Sequence, residues 1–174
     1  MHMSPPPITL RQLSADDLPA LQALYEASEG YFRKHTGATV RPEQAAFDYG
    51  AVLESGDRVL LGIWWERKRL VGRFDLRFHH PEPGVIWFGA LILQDDPPME
   101  RLALKTWAVR ILEEWLRIDA QMREIRLALL ASDAASIRFW THMGYVATPH
   151  STRRRIGGRL LRLLIYKKSI PRLA

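Results

Sequence analysis

The sequence predicts a mixed α/β fold, in which a mostly antiparallel sheet contains a central β-α-β unit and ends in a hairpin. Two strand signals, Arg58–Glu66 and Leu70–His79, are joined by a tight turn around Lys68, as in an antiparallel hairpin. The nearly continuous apolar run Val85–Gln94 precedes a long helical pattern and another strand, as in a β-α-β unit. Gly157-Gly158 separates two strand patterns near the end of the chain, which indicates a hairpin with a two-residue turn.

The first part of the chain carries strand and helix signals in alternation. Ile8–Gln12 has the pattern of a short strand. Ser14 is a typical N-cap, and an apolar stripe with helical spacing follows it. The stretch Gly30–Gly37 is rich in aromatic and basic residues and is predicted to be irregular, and a second short helix is expected after Pro42.

The second half contains the clearest helix of the prediction. Asp96 is its expected N-cap, because the two prolines that follow suit a first helical turn. The strand Glu124–Ala131 and the helix Ala134–Met143 come next. Gly89 lies in the middle of the apolar run, where a glycine marks a bulge or the close approach of a ligand or backbone.

The composition is that of one globular domain. The chain has 174 residues, of which 47% are apolar and 25% charged, so neither disorder nor a fibrous repeat is indicated. Residues 1–7 contain three consecutive prolines and are predicted to be a loose leader before a single domain over residues 8–170. No apolar run is long enough for a membrane span, so no membrane partner is expected. The lack of cysteine excludes disulfides and thiolate metal sites and makes the cytoplasm the expected compartment.

Positive charge is concentrated at the end of the chain. The net charge is +6, and the segment 151–174 has eight basic residues and no acidic one. Such a segment attracts phosphate or acidic partners. The other interpretation is a basic sheet edge, on which lysine and arginine deter pairing with other chains. Both stay open, although the apolar residues that dominate the last strand argue against a nucleic-acid partner.

One segment carries a more specific pattern. In Ser132–Val146, SDAASIRFWTHMGYV, a helix with an aromatic residue follows a strand and ends in Gly-Tyr. This pattern resembles the second-half signature of the GNAT superfamily of acetyl-CoA-dependent N-acetyltransferases. The similarity covers roughly Ile8–Tyr166 and implies a GNAT-like sheet, as in small bacterial members. Asp133 stands at the family's asparagine position and Trp140 at its aromatic position, so the resemblance makes both candidate cofactor-binding residues.

The resemblance also implies where acetyl-CoA would bind. In the family the pantetheine arm bonds to exposed peptide groups beside two diverging strands, which makes Leu91 and Leu93 its expected partners. The family's phosphate loop uses glycines so that free N–H groups at a helix N-terminus hold the pyrophosphate. Ala103 and Lys105 stand at the two glycine positions here, so the loop is degenerate. Arg101 and Lys105, one helical turn apart, are the expected charged replacement for the missing amides.

Three residues are candidates for the chemistry. Acetyl transfer to an amine needs a base, stabilisation of the developing oxyanion and often an acid for the leaving thiolate. The family often uses a tyrosine as that acid, but the matching position holds a tryptophan here, which leaves Tyr31 and Tyr145 as candidates. Asp75 lies in the middle of a strand and is the candidate anchor or base for the amine. The alternative for Asp75 is a structural ion pair with Arg73 or Arg77.

The resemblance therefore implies an enzyme that transfers acetyl from acetyl-CoA to a primary amine, on a small molecule or a peptide. Two alternatives stay open: a GNAT-fold protein that has lost acetyl transfer and acts as a binding or oligomeric partner, and a basic nucleic-acid-binding module. A homodimer is compatible with the sequence but not specified by it. No metal site is expected, because no spaced set of histidines and carboxylates is present.

Overall fold

The computed structural model describes residues 5–119 and 121–171. Part of the leader predicted for residues 1–7 lies outside the described residues, as does Arg172 of the basic segment. The described chain forms seven strands and five α-helices, with a short 3-10 turn before the first helix: β1 (Ile8–Gln12), α1 (Leu18–Glu26), α2 (Glu29–Thr36), α3 (Gln44–Ser55), β2 (Arg58–Trp65), β3 (Arg69–Phe78), β4 (Val85–Leu93), α4 (Arg101–Arg117), β5 (Glu124–Leu130), α5 (Ala134–His142), β6 (Val146–Ile156) and β7 (Arg159–Ser169).

These strands form one sheet in the order β1-β2-β3-β4-β5-β7-β6. β4 and β5 run parallel and are connected by α4, which gives the β-α-β unit. All other neighbouring strands are antiparallel. The predicted mixed, mostly antiparallel sheet with a central β-α-β unit and a C-terminal hairpin is therefore confirmed.

Helices cover both faces of the sheet. α4 and α5 contribute Leu104 and Phe139 to the larger hydrophobic core. α1 and α2 contribute Leu21 and Phe32 to a second core that includes residues of β2 and β3. Most of β4 is buried between these layers, but its stretch 89–91 is exposed or half-buried. This stretch marks the place where the sheet opens.

The prediction of an irregular stretch at Gly30–Gly37 is wrong. Most of it lies in α2, which buries Phe32 and ends at Gly37. Gly37 has φ 72°, the left-handed conformation that commonly follows a helix. A glycine in the first turn and only eight residues of helix weaken the pattern that would reveal α2 in the sequence.

The prediction that Asp96 caps the long helix is also wrong. α4 begins at Arg101, and its N-cap is Glu100. A helix capped by Asp96 would need Pro97 as its first helical residue. A residue that precedes proline avoids the helical region, and Pro97 precedes Pro98, so the helix starts only after the second proline.

A contact between two glycines joins α2 to the C-terminal hairpin. A Cβ atom at Gly37 would lie 2.6 Å from the Cα atom of Gly157, closer than real Cβ atoms approach their neighbours. Gly157 and Gly158 form the turn between β6 and β7, with φ values of 54° and 77° as the predicted two-residue turn requires. The backbone of the hairpin turn therefore lies directly against the end of α2.

Gly37→Ala is expected to destabilise the protein more than Gly56→Ala. The two glycines have φ values of 72° and 70°. Alanine at either position therefore costs about 1–2 kcal/mol from its backbone conformation alone. At Gly37 the new methyl group also meets the hairpin backbone, whereas nothing lies within 4 Å at Gly56. Urea unfolding measures the difference, and equal free energies of unfolding would contradict the contact.

Candidate functional site

β4 and β5 separate in the middle of the sheet. Their pairing ends at Phe88 and Leu127. Beyond these residues β4 continues to Leu93 and β5 to Leu130 without pairing to each other. The two strands therefore diverge and leave a gap inside an otherwise continuous sheet.

A β-bulge accompanies the separation. Across from β4, Asp75 of β3 lies opposite Ala90 and Leu76 lies opposite Phe88, so Gly89 has no partner residue. An extra residue of this kind bends its strand and increases the local twist. The bulge predicted at Gly89 is therefore present, and it lies where β4 turns away from β5.

The gap leaves peptide groups of β4 without a neighbouring strand. Gln94 donates its N–H to the Val71 carbonyl of β3 at 3.1 Å. Because peptide groups alternate in direction along a strand, those of Leu91 and Leu93 point away from β3 and toward the gap. The Leu93 carbonyl accepts a hydrogen bond from Arg101 Nη1 at 3.2 Å. Leu91 has no paired residue in β5, so its N–H and carbonyl face the gap.

Three adjoining cavities lead through this gap. The slot between β4 and β5 has a volume of about 120 Å³. Along Leu91 it adjoins a cavity of about 340 Å³ near the start of α4, named here the α4-side cavity. Past Gly89 and Ala90 it adjoins a cavity of about 410 Å³, named the arginine cavity because four arginines line it. Tyr31 lines all three, so they adjoin at its side chain, and the three cavities together are named here the passage.

α2 places two stacked rings over the slot. The ring centroids of Tyr31 and His35 are 4.4 Å apart. Burial raises the pKa of the Tyr31 hydroxyl, so it keeps its proton at neutral pH. Burial, followed by the positive charges of Lys34 and Arg154, lowers the pKa of His35 to about 4, so its imidazole is neutral at pH 7. Both groups are therefore uncharged and polar.

Two predicted cofactor-binding residues line the slot from the other side. Trp140 is buried and packs edge-on against Phe88, with ring centroids 5.1 Å apart. Lys105 Nζ lies 3.9 Å from the centroid of the Phe139 ring. Burial lowers the pKa of Lys105 to about 8, which leaves most of its charge at pH 7. Lys105 also lines the α4-side cavity, so it bridges the two spaces.

A carboxylate of the chain itself occupies the N-terminus of α4. Glu100 accepts hydrogen bonds from the backbone N–H groups of Leu102 and Ala103, at 3.0 and 2.6 Å. Negative charge is favourable at a helix N-terminus, so this cap stabilises the helix. Ala103 is a predicted cofactor-binding residue, but its N–H is already bonded. A pyrophosphate would have to displace Glu100 from these two amides.

Arg101 and Asp133, also predicted to bind the cofactor, make internal contacts. Arg101 donates to backbone carbonyls at the end of β4, although it lines the α4-side cavity as well. Asp133 caps α5 through the Ser136 N–H at 3.2 Å and forms an ion pair with Lys34 at 2.6 Å. Burial raises the pKa of Asp133, but the hydrogen bonds from Lys34 and Ser136 outweigh it and lower the value to about 2. Asp133 is therefore ionised at neutral pH and serves as the N-cap of α5.

The structure places Tyr145 away from the passage. Its side chain is buried, and its hydroxyl donates a hydrogen bond to Glu113 of α4 at 3.1 Å. Burial and the neighbouring Glu113 carboxylate raise its pKa. Tyr145 lines none of the three cavities, because its ring packs behind Trp140 with centroids 4.9 Å apart. Tyr31 is the candidate tyrosine that faces the slot.

Asp75 lines the arginine cavity, but arginines already bind its carboxylate. Arg58 Nη2 and Nε donate to its two oxygens at 2.6 and 3.3 Å. Arg73 Nη1 lies 3.5 Å away, so the expected alternative of an ion pair is present for Arg73. Arg77 instead pairs with Asp57 at 2.9 Å. An ammonium group that bound Asp75 would compete with two guanidinium groups.

Several residues of the passage are absent from the sequence predictions. Lys34 and His35 lie three and four residues after Tyr31, so recognition of α2 as a helix would have placed them on one face. Ser136 is the third residue after the α5 cap Asp133, and it lines the slot. Arg154 comes from the basic segment, and its position over the slot follows from long-range packing that no local pattern signals.

No family model matches this chain, and no curated protein matches its sequence. Solved acetyltransferases match its fold. The acetyltransferase of GNAT family from Streptococcus pneumoniae is 13% identical, with a TM-score of 0.68 over 94% of this chain and 99% of that chain. Spermidine N-acetyltransferase from Vibrio cholerae, in complex with CoA and spermine, is 15% identical, with a TM-score of 0.73 over 94% and 96%. A Salmonella typhimurium acetyl transferase that modifies the N-terminal serine of 50S ribosomal subunit protein L7/L12 is 12% identical, with a TM-score of 0.78 over 94% and 95%.

This chain therefore has an α/β fold of the acyltransferase type, built around a diverging parallel strand pair. In particular, it has the GNAT fold, and the resemblance seen in the sequence is confirmed at the level of the fold. Across residues 5–119 and 121–171, no helix combines the length and apolar character needed to span a membrane. The same residues include no group of three or more side chains arranged to hold a metal ion.

Glu100→Gln is expected to raise the affinity for CoA. The change removes a negative charge from the α4 N-terminus, where it opposes an incoming phosphate. A charge at a helix end is worth about 0.3–1 kcal/mol, so the dissociation constant should fall about two- to fivefold. Isothermal titration with CoA measures the change. Glu114→Gln removes the same charge from an exposed site later in α4 and serves as the control, and equal affinity in both variants would show that the phosphates bind elsewhere.

His35 is expected to make the protein less stable in acid. Its pKa is 6.5 in the unfolded chain and about 4 in the fold, so below pH 6.5 the unfolded state binds more protons. The free energy of unfolding therefore falls as the pH drops from 6.5 to about 4. His35→Gln should show a shallower fall in urea unfolding over the same range. An identical pH dependence in both proteins would show that His35 titrates normally.

Proposed function

We propose that this protein transfers an acetyl group from acetyl-CoA to an amine of a small molecule or peptide. One observation carries the proposal: β4 and β5 separate, and the peptide groups of Leu91 face a slot that runs through the sheet. An extended ligand with amide groups can bond to such peptide groups as an added strand would. The pantetheine arm is a ligand of this kind. The fold shared with solved acetyltransferases supports the same function.

The two ends of CoA fit this chain unequally. The slot suits the pantetheine arm, because Leu91 offers a donor and an acceptor there. The amides at the start of α4 do not suit the pyrophosphate while Glu100 caps them. Lys34, Arg101 and Lys105 line the α4-side cavity and are the proposed phosphate ligands, through charge-assisted contacts of their side chains. When bound, acetyl-CoA supplies the acetyl thioester.

Tyr31 is the proposed proton donor in this reaction. Tyr31 lines the slot and its hydroxyl keeps its proton at neutral pH, so we propose that it donates to the leaving thiolate. His35 is neutral at pH 7, but a pKa of about 4 makes it a weak base for an ammonium group. We therefore propose that the acceptor amine loses its proton to water. The proposed role of Asp75 is to hold Arg58 and Arg73 beside the acceptor.

A second function is favoured by one observation. The Glu100 cap removes two amide donors from a phosphate ligand, which favours a GNAT-fold protein that binds ligands but has lost acetyl transfer. Isothermal titration with acetyl-CoA, followed by mass spectrometry of a panel of amines, separates the two. Binding with an acetylated product supports the enzyme. Binding without any product favours the binding protein, and the lack of both would overturn the proposed function.

Gly89→Leu is expected to abolish transfer while the protein stays folded. A Cβ atom at Gly89 meets Asp75 atoms at 3.4–3.6 Å, which is ordinary contact, and its φ lies outside the left-handed region. The leucine fills the junction between the slot and the arginine cavity, both of which Gly89 lines. Gly50→Leu, where nothing lies within 4 Å of the added Cβ, is the control. Transfer by Gly89→Leu at the control's rate, with equal thermal stability, would contradict the proposed passage.

A further inference from the structure

We infer that the acceptor amine belongs to a molecule that also carries an anionic group, a carboxylate or a phosphate, which binds Arg73 and Arg154 in the arginine cavity. This inference rests on the proposed function, because it defines the substrate class of the same site. It narrows the acceptor from amines in general to amines with an anionic end. It also excludes polyamines, whose remaining groups are cationic.

Arg73 is a buried cation with incomplete hydrogen bonding. It lies in β3, is 5% exposed and lines the arginine cavity. Its Nε donates to the Tyr25 hydroxyl at 3.1 Å, but Nη1 has no hydrogen-bond partner within the described residues. A buried guanidinium is costly when its donors are unpaired. The planar guanidinium matches the oxygens of a carboxylate or phosphate, which makes either group a suitable ligand.

The nearby aspartates do not complete the coordination of Arg73. Asp48 and Asp75 lie 3.6 and 3.5 Å from its terminal nitrogens. These separations exceed the range of about 2.7–2.9 Å that charge-assisted hydrogen bonds have. Asp75 is also held by Arg58 at the shorter distance of 2.6 Å. Arg73 therefore has part of its charge balanced, but its terminal nitrogens lack close acceptors.

The excess positive charge of the cavity lies at Arg154. Four arginines line the cavity against two aspartates, and Arg77 is balanced by Asp57 outside that lining. Arg58 and Arg73 share the two lining aspartates. Arg154 is exposed and forms no ion pair with any acidic side chain in the part of the chain that the structure describes. An anionic ligand would supply the missing negative charge.

The position of Arg154 gives this charge a direct effect on the acceptor. Arg154 lines both the slot and the arginine cavity, so it lies beside their junction. Its positive charge acts to lower the pKa values of Tyr31 and His35, two residues that line the slot. A second cationic group on the acceptor would be repelled there. An anionic group bound to the arginines instead leaves the amine free to face Gly89 and the slot.

A titration without any acyl donor tests the inference. The probes 4-aminobutyrate, butylamine and 1,4-diaminobutane share one amine-bearing carbon chain and end in a carboxylate, a methyl group and an ammonium group. O-phosphoethanolamine is the probe that carries an amine and a phosphate. The Nε–H signals of arginine in nitrogen-15-labelled protein report binding. We expect a saturable shift of the Arg73 and Arg154 signals with one or both anionic probes, and Arg154→Gln should weaken that binding about tenfold or more.

Arg153→Gln is the matched control, because Arg153 is an exposed neighbour on β6 that lines none of the three cavities. Its affinity should stay within about twofold of wild type. Equal loss in both variants would indicate general attraction by the basic segment and would overturn the inference. Equal or tighter binding of butylamine or 1,4-diaminobutane, or no saturable shift with either anionic probe, would overturn it as well.

The same data separate this inference from the proposed function. Binding of an anionic amine in the absence of a donor supports recognition of the anionic group by Arg73 and Arg154 even if acetyl-CoA proves inactive, and only the proposed function then fails. Acetylation of 1,4-diaminobutane without binding of either anionic probe upholds acetyl transfer and overturns the inference. A response to 4-aminobutyrate alone assigns a carboxylate, and a response to O-phosphoethanolamine alone assigns a phosphate.

Discussion

The site depends on how short the parallel pairing of β4 and β5 is. Four residue pairs, ending at Phe88 and Leu127, hold the two strands together, and the bulge at Gly89 then bends β4. β3 remains paired with β4 beyond the bulge, so the gap opens along one edge of β4 only. α2, α4 and α5 surround that edge and supply the side chains of the passage. The sheet therefore creates the gap, and the helices supply side chains that line it.

Charge is arranged differently at the two ends of this space. At the α4 side, lysines face the cavity while Glu100 and Asp133 cap the two nearby helices. At the other end, arginines share a smaller number of aspartates. The first arrangement keeps the helix amides occupied, whereas the second leaves guanidinium donors without close acceptors. The arginine cavity is thus better prepared for an anion than the backbone amides at the start of α4, which Glu100 already caps.

The order of the strands, and of every α-helix except α2, was predictable because periodicity and turn residues are local signals, as in Val85–Gln94 and Gly157-Gly158. The start of α4 was not predictable, because Asp96 and Glu100 are both acidic residues that can cap a helix, and two prolines lie between them. At the site, the alternating direction of peptide groups along β4 is enough to turn those of Leu91 toward the gap. The contacts of Asp133 with Lys34 and of Tyr145 with Glu113 join residues far apart in sequence, so no local pattern reveals them.

The contact between Gly37 and Gly157 has a consequence for how the protein is made. β7 lies between β5 and β6 in the sheet, although β6 precedes it along the chain. During synthesis on the ribosome, β6 therefore emerges before the strand that it must pair with exists. The hairpin turn can reach the end of α2 only after β7 has joined β5. Arg154 of β6, which lines both the slot and the arginine cavity, therefore takes its place only after β7 has paired with β5.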